Sequence, residues 1–279
     1  MCPVGVHIQD KVEVNVNDQG QGRGSVRGGC ASIVVVAVVI TLTTDFGGAD
    51  GYVGAMKGVI VRLAPEAVIV DLAHDVPRHD IAHAAWVLAT SAHEFPSGTI
   101  HVAVVDPGVG GARTPVIIGA GGQVYVGPDN GVFAYVADRP VSVHAITSTA
   151  FRMPAPSETF HGRDVFAPAA AALARGLPPE AAGPATCVSG TLPWATRATS
   201  RGVIVHVDIY GNLISNLPGP ARRVRAAGRE IAQVRTYEEL ERGGLGCYTG
   251  SAGTVEIAVR EGSAAKTLGL ARGAEVSFA

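Results

Sequence analysis

The chain has 279 residues, of which 47% are hydrophobic, 16% charged and 5% aromatic, and its formal net charge is -2. That length exceeds one domain of about 100 to 200 residues, and the composition calls for a core of Val, Ile, Leu and Ala rather than rings. A near-neutral balance without a dense Lys/Arg run leaves no footprint for a phosphate backbone or an anionic bilayer, so neither nucleic acid nor membrane is expected as a partner.

Residues 1–31, rich in Gly, Gln, Asn and charge but without periodicity, read as a flexible leader. The apolar run from Ile33 to Leu42 is well short of the roughly 20 residues that cross a bilayer. Arg23 and Arg27 give it the outline of a signal-peptide core, but no small-residue cleavage site follows, and a buried strand is the better reading. From there β-type runs alternate with helical stretches: strand Ile33 to Thr43, helix Tyr52 to Ala64, strand Val68 to Leu72, helix Ile81 to Ser91, strand Thr99 to Val105. Strands at Val116 to Ile118 and Gln123 to Val126 precede the turn Pro128-Asp129-Asn130-Gly131 and a short helix. An Ala-rich helix runs from Asp164 to Arg175 and stops at Gly176.

This rhythm predicts an α/β N-terminal domain over 32–177 with a largely parallel sheet flanked by helices. A Pro- and Gly-rich linker over 178–200 follows. Short strands at Val203 to Ile209, Leu213 to Asn216, Val255 to Val259 and Glu275 to Phe278 then predict a smaller β-rich, barrel-like C-terminal domain over 201–279. Cys2, Cys30, Cys187 and Cys247 are dispersed and form no C-x-x-C pair, which suggests neither a disulfide framework nor zinc and suits a reducing cytoplasm.

Four segments are more polar than structure alone requires. Thr43 to Tyr52 places Asp45 and Asp50 beyond a strand end, where α/β sheets bind ligands and where a carboxylate suits a hydroxyl or an ammonium. Turn formation by Asp45 and helix capping by Asp50 explain them equally. In Asp106-Pro107-Gly108-Val109-Gly110-Gly111-Ala112-Arg113 the glycines let the backbone approach a ligand, and Asp106 can meet Arg113 across the loop. The loop lacks the endings of a P-loop or a dinucleotide turn, and a plain ion pair is the competing reading. Thr159 to Asp164 offers His161, titrating near neutrality beside Gly162, with Asp164 placed to cap the following helix. Asp208 to Asn216 offers Tyr210 as a stacking face and Asn212 as a paired donor and acceptor for a purine edge, although a β-turn accounts for Gly211 and Asn212. Asp71, His74, Asp75, His79, Asp80 and His83 crowd together, with His79 and His83 four apart on an expected helix. They lack the further context of hydrolytic zinc sites, so no metal is expected.

Taken in order, TLTTDFG, VDLAHDV, VVDPGVG with Arg113, GPDNG, TFHGRD, the IYGN turn and SAGTVEIAVREGSAA resemble the S-adenosylmethionine hydroxide adenosyltransferase family, relatives of the fluorinase and chlorinase enzymes. The resemblance runs from Ile40 to the C-terminus. It implies hydrolysis of S-adenosyl-L-methionine to adenosine and methionine, without cofactor, by a homotrimer that binds substrate between neighbouring subunits. The family's water-activating residues fall on Asp106, Arg113 and His161. Its ribose-binding Asp falls on Asp45 and the other first-loop carboxylate on Asp50. Phe160 matches a substrate-packing aromatic, Tyr210 and Asn212 the adenine side, and Ser251 a methionine contact, with Asp208 a further substrate-binding candidate. Halogenating relatives carry Tyr where this chain has Asp106 and His161, Thr at Val109 and Ser at Gly162, so the resemblance favours water over halide. A halogenase and a non-catalytic S-adenosylmethionine or adenosine binding module are the alternatives.

Overall fold

A computed structural model describes residues 37–137, 140, 142–192 and 198–279. The leader expected over 1–31 lies outside them, as do Ile33 to Val36 of the first expected strand. The first sheet consists of β1 (Val39–Thr44), β2 (Val68–Ala73), β3 (Ile100–Val104), β4 (Pro115–Ala120), β5 (Gln123–Pro128) and β6 (Ser142–Ala145), in the order β2-β1-β3-β5-β4-β6. The run β2-β1-β3-β5 is parallel, and β4 pairs antiparallel with β5 and β6. The largely parallel sheet expected from the uninterrupted Val and Ile runs is therefore present.

Three helices cover this sheet: α1 (Tyr52–Leu63), α2 (Ile81–Ser91) and α3 (Ala167–Ala174). Strand alternation sends Ile100, Val102 and Val104 of β3 into one core with Met56 and Ile60 of α1 and the alanines of α3. Ala103 and Val105 go to the opposite core, with Ala84 and Leu88 of α2. Six of the eight α3 residues are buried, and their small side chains let the helix lie close to both α1 and the sheet. The chain leaves β1 through α1 to reach β2 on one side, then crosses by α2 to β3 on the other. That reversal is a topological switch point, and the usual place for a ligand in such sheets lies beyond the carboxyl ends of the strands that flank it, here β1 and β3.

The second sheet is antiparallel: β7 (Arg201–Val207), β8 (Leu213–Pro218), β9 (Val224–Ala226), β10 (Arg229–Ile231), β11 (Leu245–Thr249), β12 (Thr254–Val259) and β13 (Glu275–Phe278), ordered β10-β9-β13-β7-β8-β12-β11. A bridge from Gln233, just past β10, to Cys247 of β11 nearly closes it into a barrel. A short helix, α4 (Ala264–Leu268), is capped by Ser263 Oγ and packs on β12. The two sheets belong to one compact unit, residues 37–279. Trp86 of α2 stacks on His206 of β7, with ring centroids 5.5 Å apart, and Arg272 reaches Asp80 at 2.8 Å. Part of the stretch expected as a linker is docked, since Ser189 and Gly190 donate to the Asp129 carboxylate at 2.6–2.8 Å.

The helix expected from Asp164 starts differently. A π-helical turn over Gly162–Phe166 precedes α3. Pro168 has no N–H with which to bond the Asp164 carbonyl four residues back, and that carbonyl accepts from Met153 N at 2.8 Å instead. Asp164 is thus no N-cap: its carboxylate accepts from Ser157 N and pairs with Arg163. The short helix expected after Gly131 is a set of turns, with Ala134 N bonded to Gly131 O and Val136 N to Phe133 O.

Candidate active site

β3 delivers the chain to Val105, which is fully buried, and Asp106 is the first residue beyond it. Asn130, from the turn after β5, donates its Nδ2 to the Val105 carbonyl at 2.9 Å and fixes the backbone one residue before Asp106. The glycine loop folds tightly, with Val109 N bonded to Asp106 O and Gly111 N to Gly108 O. Gly110 has φ +75°, and a Cβ there would stand 2.6 Å from Glu158 O, so only glycine lets the loop lie against the segment that carries Phe160 and His161.

The fold-back brings Arg113 onto Asp106. Nε lies 3.1 Å from each carboxylate oxygen and Nη2 2.5 Å from Oδ2, with side chains only 10% and 4% exposed. This is the ion pair that the loop spacing allows, and it has a third member: Arg113 Nη2 also lies 2.7 Å from His161 Nδ1. A guanidinium can only donate, so Nδ1 is the acceptor and the neutral ring carries its proton on Nε2. Burial first, and then the neighbouring Arg113 charge, push His161 below its ordinary range, while Asp106, Asp164 and Glu158 pull the other way. At neutral pH the site therefore presents a buried carboxylate beside an imidazole N–H donor.

Asp45 follows β1, and its Oδ2 accepts from His79 N at 2.9 Å. His79 reaches that position with φ +64°, a left-handed conformation that a non-glycine residue adopts at some cost. It therefore precedes α2 rather than sharing a helical face with His83, and Asp80 is the N-cap, accepting from His83 N. Asp50 is exposed and does not cap α1, whose N-cap is Gly51 in the left-handed region. Behind Asp45, Lys57 Nζ lies 2.6 Å from Asp71 Oδ2, Asp71 Oδ1 lies 2.9 Å from His74 Nε2, and His74 Nδ1 lies 2.9 Å from Thr44 Oγ1. Hydrogen bonding to His74 and Lys57 outweighs desolvation and holds Asp71 below the usual carboxylate range. The crowded acids and histidines thus brace the turn, and no group of three or more potential metal ligands exists among the described residues.

Phe160 meets Phe46 and Tyr52 in a ring cluster that sequence reasoning did not single out, although all three lie inside the polar segments Thr43 to Tyr52 and Thr159 to Asp164.

A second cluster sits on the other sheet. Asp208 Oδ1 accepts from Tyr210 N and Asn212 N, and Oδ2 from Asn212 Nδ2, at 2.8–2.9 Å. One carboxylate thereby fixes both the turn and the orientation of the Asn212 amide. Gly211 has φ +81°, and a Cβ there would fall 2.1 Å from Ser263 Oγ. A cavity of about 550 Å³ opens here, lined by Asp208, Tyr210, Asn212, Tyr237 and Tyr248 among others. Tyr248 and Glu256 bond to each other, and burial raises the pKa of both. Ser251 is exposed in the turn between β11 and β12. Among the described residues, no hydrogen bond, ion pair or ring contact joins this cluster to Asp106, Arg113 and His161.

Residues 40–183 match the family model described as the SAM hydroxide adenosyltransferase N-terminal domain, and residues 202–277 match the corresponding C-terminal domain. A Thermus thermophilus protein named (R)-S-adenosyl-L-methionine hydrolase is 43% identical over 246 residues, which are 84% of this chain and 96% of that protein. The crystal structure of a conserved hypothetical protein, also from Thermus thermophilus, superposes with a TM-score of 0.77 at 37% identity, covering 87% of this chain and all of that one. A fluorinase of Actinoplanes sp. is more distant, 26% identical over 64% of this chain and 71% of its own length.

Proposed function

Because the chain belongs to the SAM hydroxide adenosyltransferase family, we propose that it hydrolyses S-adenosyl-L-methionine to adenosine and L-methionine. The observation that carries this reading is the single guanidinium shared between Asp106 and His161. A water oxygen attacks C5′ of the ribose in line with the C5′–S bond. As the O–C5′ bond forms, the C5′–S electron pair returns to sulfur, which leaves as the neutral thioether of methionine and needs no acid. The attacking water grows strongly acidic as it bonds to carbon, so even a carboxylate held by Arg113 is base enough to take its proton, and that carboxylate is Asp106. His161 donates Nε2–H to the water and orients it; with Nδ1 occupied by Arg113, the ring is a positioning donor rather than the base. Alignment supplies the larger share, on the order of 7 to 11 kcal/mol, against about 10² to 10⁴-fold for proton transfer.

In this reading Asp45 holds the ribose hydroxyls, Asp50 faces the positive charge of the substrate, Phe160 packs against it and Ser251 contacts the methionine portion. Tyr210 and Asn212 take the adenine, with Asp208 orienting Asn212. Among the described residues no contact joins the two clusters, and Ile209 and Tyr210 are 94% and 75% exposed, which supports a site completed by a neighbouring copy in a homotrimer. The reaction needs no metal or cofactor, since the leaving group is already activated by its charge. A cytoplasmic location matches the dispersed cysteines and the supply of substrate; among the described residues no helix is long and apolar enough to cross a membrane.

Purified protein is incubated with S-adenosyl-L-methionine and a chelator, adenosine is followed by chromatography, and the mass is measured by sedimentation. The expected results are adenosine release, a loss of roughly 100-fold or more in kcat for Asp106→Asn, and a trimer mass. A wild-type chain that releases no adenosine refutes the reading.

A further inference from the structure

Phe46, Tyr52 and Phe160 come from three separate places: the turn after β1, the first residue of α1 and the residue before His161. Their ring centroids stand 5.3–5.9 Å apart, with mutual interplanar angles of 63°, 75° and 82°. This is not a buried core. Phe46 and Phe160 are half-buried, and Tyr52 is 49% exposed; Phe46 follows Asp45 directly in the chain and Tyr52 stands two residues after Asp50. The rings close over Gly162, where a Cβ would stand 3.1 Å from Met56 Sδ, 3.3 Å from Phe46 and 3.4 Å from Phe160. Phe46 and Phe160 thus pack around the residue that follows His161 in the chain.

One of these rings already receives a cation. The Arg163 guanidinium lies 4.9 Å from the Phe160 centroid, and its charge is matched by the Asp164 carboxylate at 2.6 and 2.8 Å. Ring faces carry negative potential, and a group of mutually tilted rings, one half-exposed, makes a surface that favours a compact, weakly hydrated cation over a neutral group of the same shape. We propose that Phe46, Tyr52 and Phe160 recognise the positively charged sulfonium of the substrate, with Tyr52 setting the preference for a sulfonium over a neutral thioether. This rests on the functional reading above and deepens it.

The chemistry gives the proposal a distinctive signature. The sulfonium charge vanishes as the C5′–S bond breaks, so a contact that depends on it holds the ground state more strongly than the transition state. Removing the contact therefore raises KM and kcat together and leaves kcat/KM nearly unchanged, whereas a loss of packing or geometry lowers kcat. The same contact contributes little to binding S-adenosylhomocysteine, which has the same skeleton with a neutral sulfur.

The test compares wild type, Tyr52→Leu and Tyr52→Phe as full chains. It measures KM and kcat with S-adenosyl-L-methionine and the inhibition constant of S-adenosylhomocysteine, with circular dichroism confirming the fold. Tyr52→Leu is expected to raise KM about tenfold, to raise kcat several-fold so that kcat/KM changes much less than KM, and to weaken S-adenosylhomocysteine by less than about threefold. Tyr52→Phe, which keeps the ring face, stays near wild type. Equal weakening of both compounds, or a kcat that does not rise with KM, overturns the inference and leaves the hydrolase reading standing. A wild-type chain that does not turn over S-adenosyl-L-methionine overturns that reading, and the inference falls with it.

Discussion

Replacing Arg113 by Lys keeps the positive charge but removes the planar fork, and it separates what the charge does from what the geometry does. In the native site one guanidinium makes three contacts of 3.1 Å or less with Asp106 and a fourth of 2.7 Å with His161 Nδ1. An ammonium is a point donor on a flexible stem; it can stay with the carboxylate but cannot also hold the imidazole in the same plane. At least one charge-assisted hydrogen bond is lost, at a cost of about 1.5 to 3 kcal/mol, which corresponds to a fall of roughly 10- to 150-fold in kcat. The pH profile moves as well. His161 is held below its ordinary range by burial and by Arg113, so in the native protein its protonated form, which turns a second N–H toward Arg113, appears only at acid pH. With Nδ1 freed, protonation becomes easier and the acid limb of kcat moves to higher pH. Steady-state adenosine release between pH 5 and 9 measures both effects. A variant with kcat within twofold of wild type and an unmoved acid limb refutes the shared-guanidinium reasoning.

His101 and His206 are each pushed down to about 4, His101 by burial and His206 by burial followed by the neighbouring His83 charge. His101 is fully buried, with Nδ1 on Thr41 and no partner for Nε2. Because the unfolded chain binds these protons first, stability is whole above pH 6.5 and declines as the pH falls toward 4, by about 2 kcal/mol for each histidine at pH 5. Urea midpoints at pH 7.5 and 5 check this, and equal midpoints would count against it. Gly211→Ala places a methyl group 2.1 Å from Ser263 Oγ at φ +81°, so it lowers stability by about 1 to 3 kcal/mol. It also disturbs the turn that carries Asn212, raising KM; an unchanged melting temperature and KM would show that the turn does not need its glycine.

The parallel sheet was legible because strands buried on both faces must be apolar at every position, as in Ile100 to Val104, and such runs survive any uncertainty at their ends. Strands of three residues, Val224–Ala226 and Arg229–Ile231, carry too little pattern to register and exist because their neighbours pair with them. The start of the third helix was misread because Asp164 has the type of a cap, whereas Pro168 decides the matter by withholding one N–H. At the site, Asp106 and Arg113 are seven residues apart and can be paired from the loop alone. His161 lies 48 residues beyond Arg113, so that only the family pattern, and not spacing, could associate them. His79 looked like a helix residue because its left-handed φ has no signature in a single sequence; the bond from its N–H to Asp45 provides the reason for the strain.

The arrangement of partners also bears on how the two clusters can act together. Asp106, Arg113 and His161 satisfy one another within the α/β half, and Asp208 already receives three N–H groups from its own turn. Neither cluster requires the other to hold its shape. Asn212 has one amide hydrogen committed to Asp208, so its Oδ1 and remaining N–H are held in one orientation. Each cluster is thus organised by its own contacts, and the entropy cost of ordering its side chains is largely met by folding. On the proposed mechanism, what substrate binding must still achieve is to place C5′ in line with a water held by Asp106 and His161, a positional demand that rigid clusters meet better than adaptable ones.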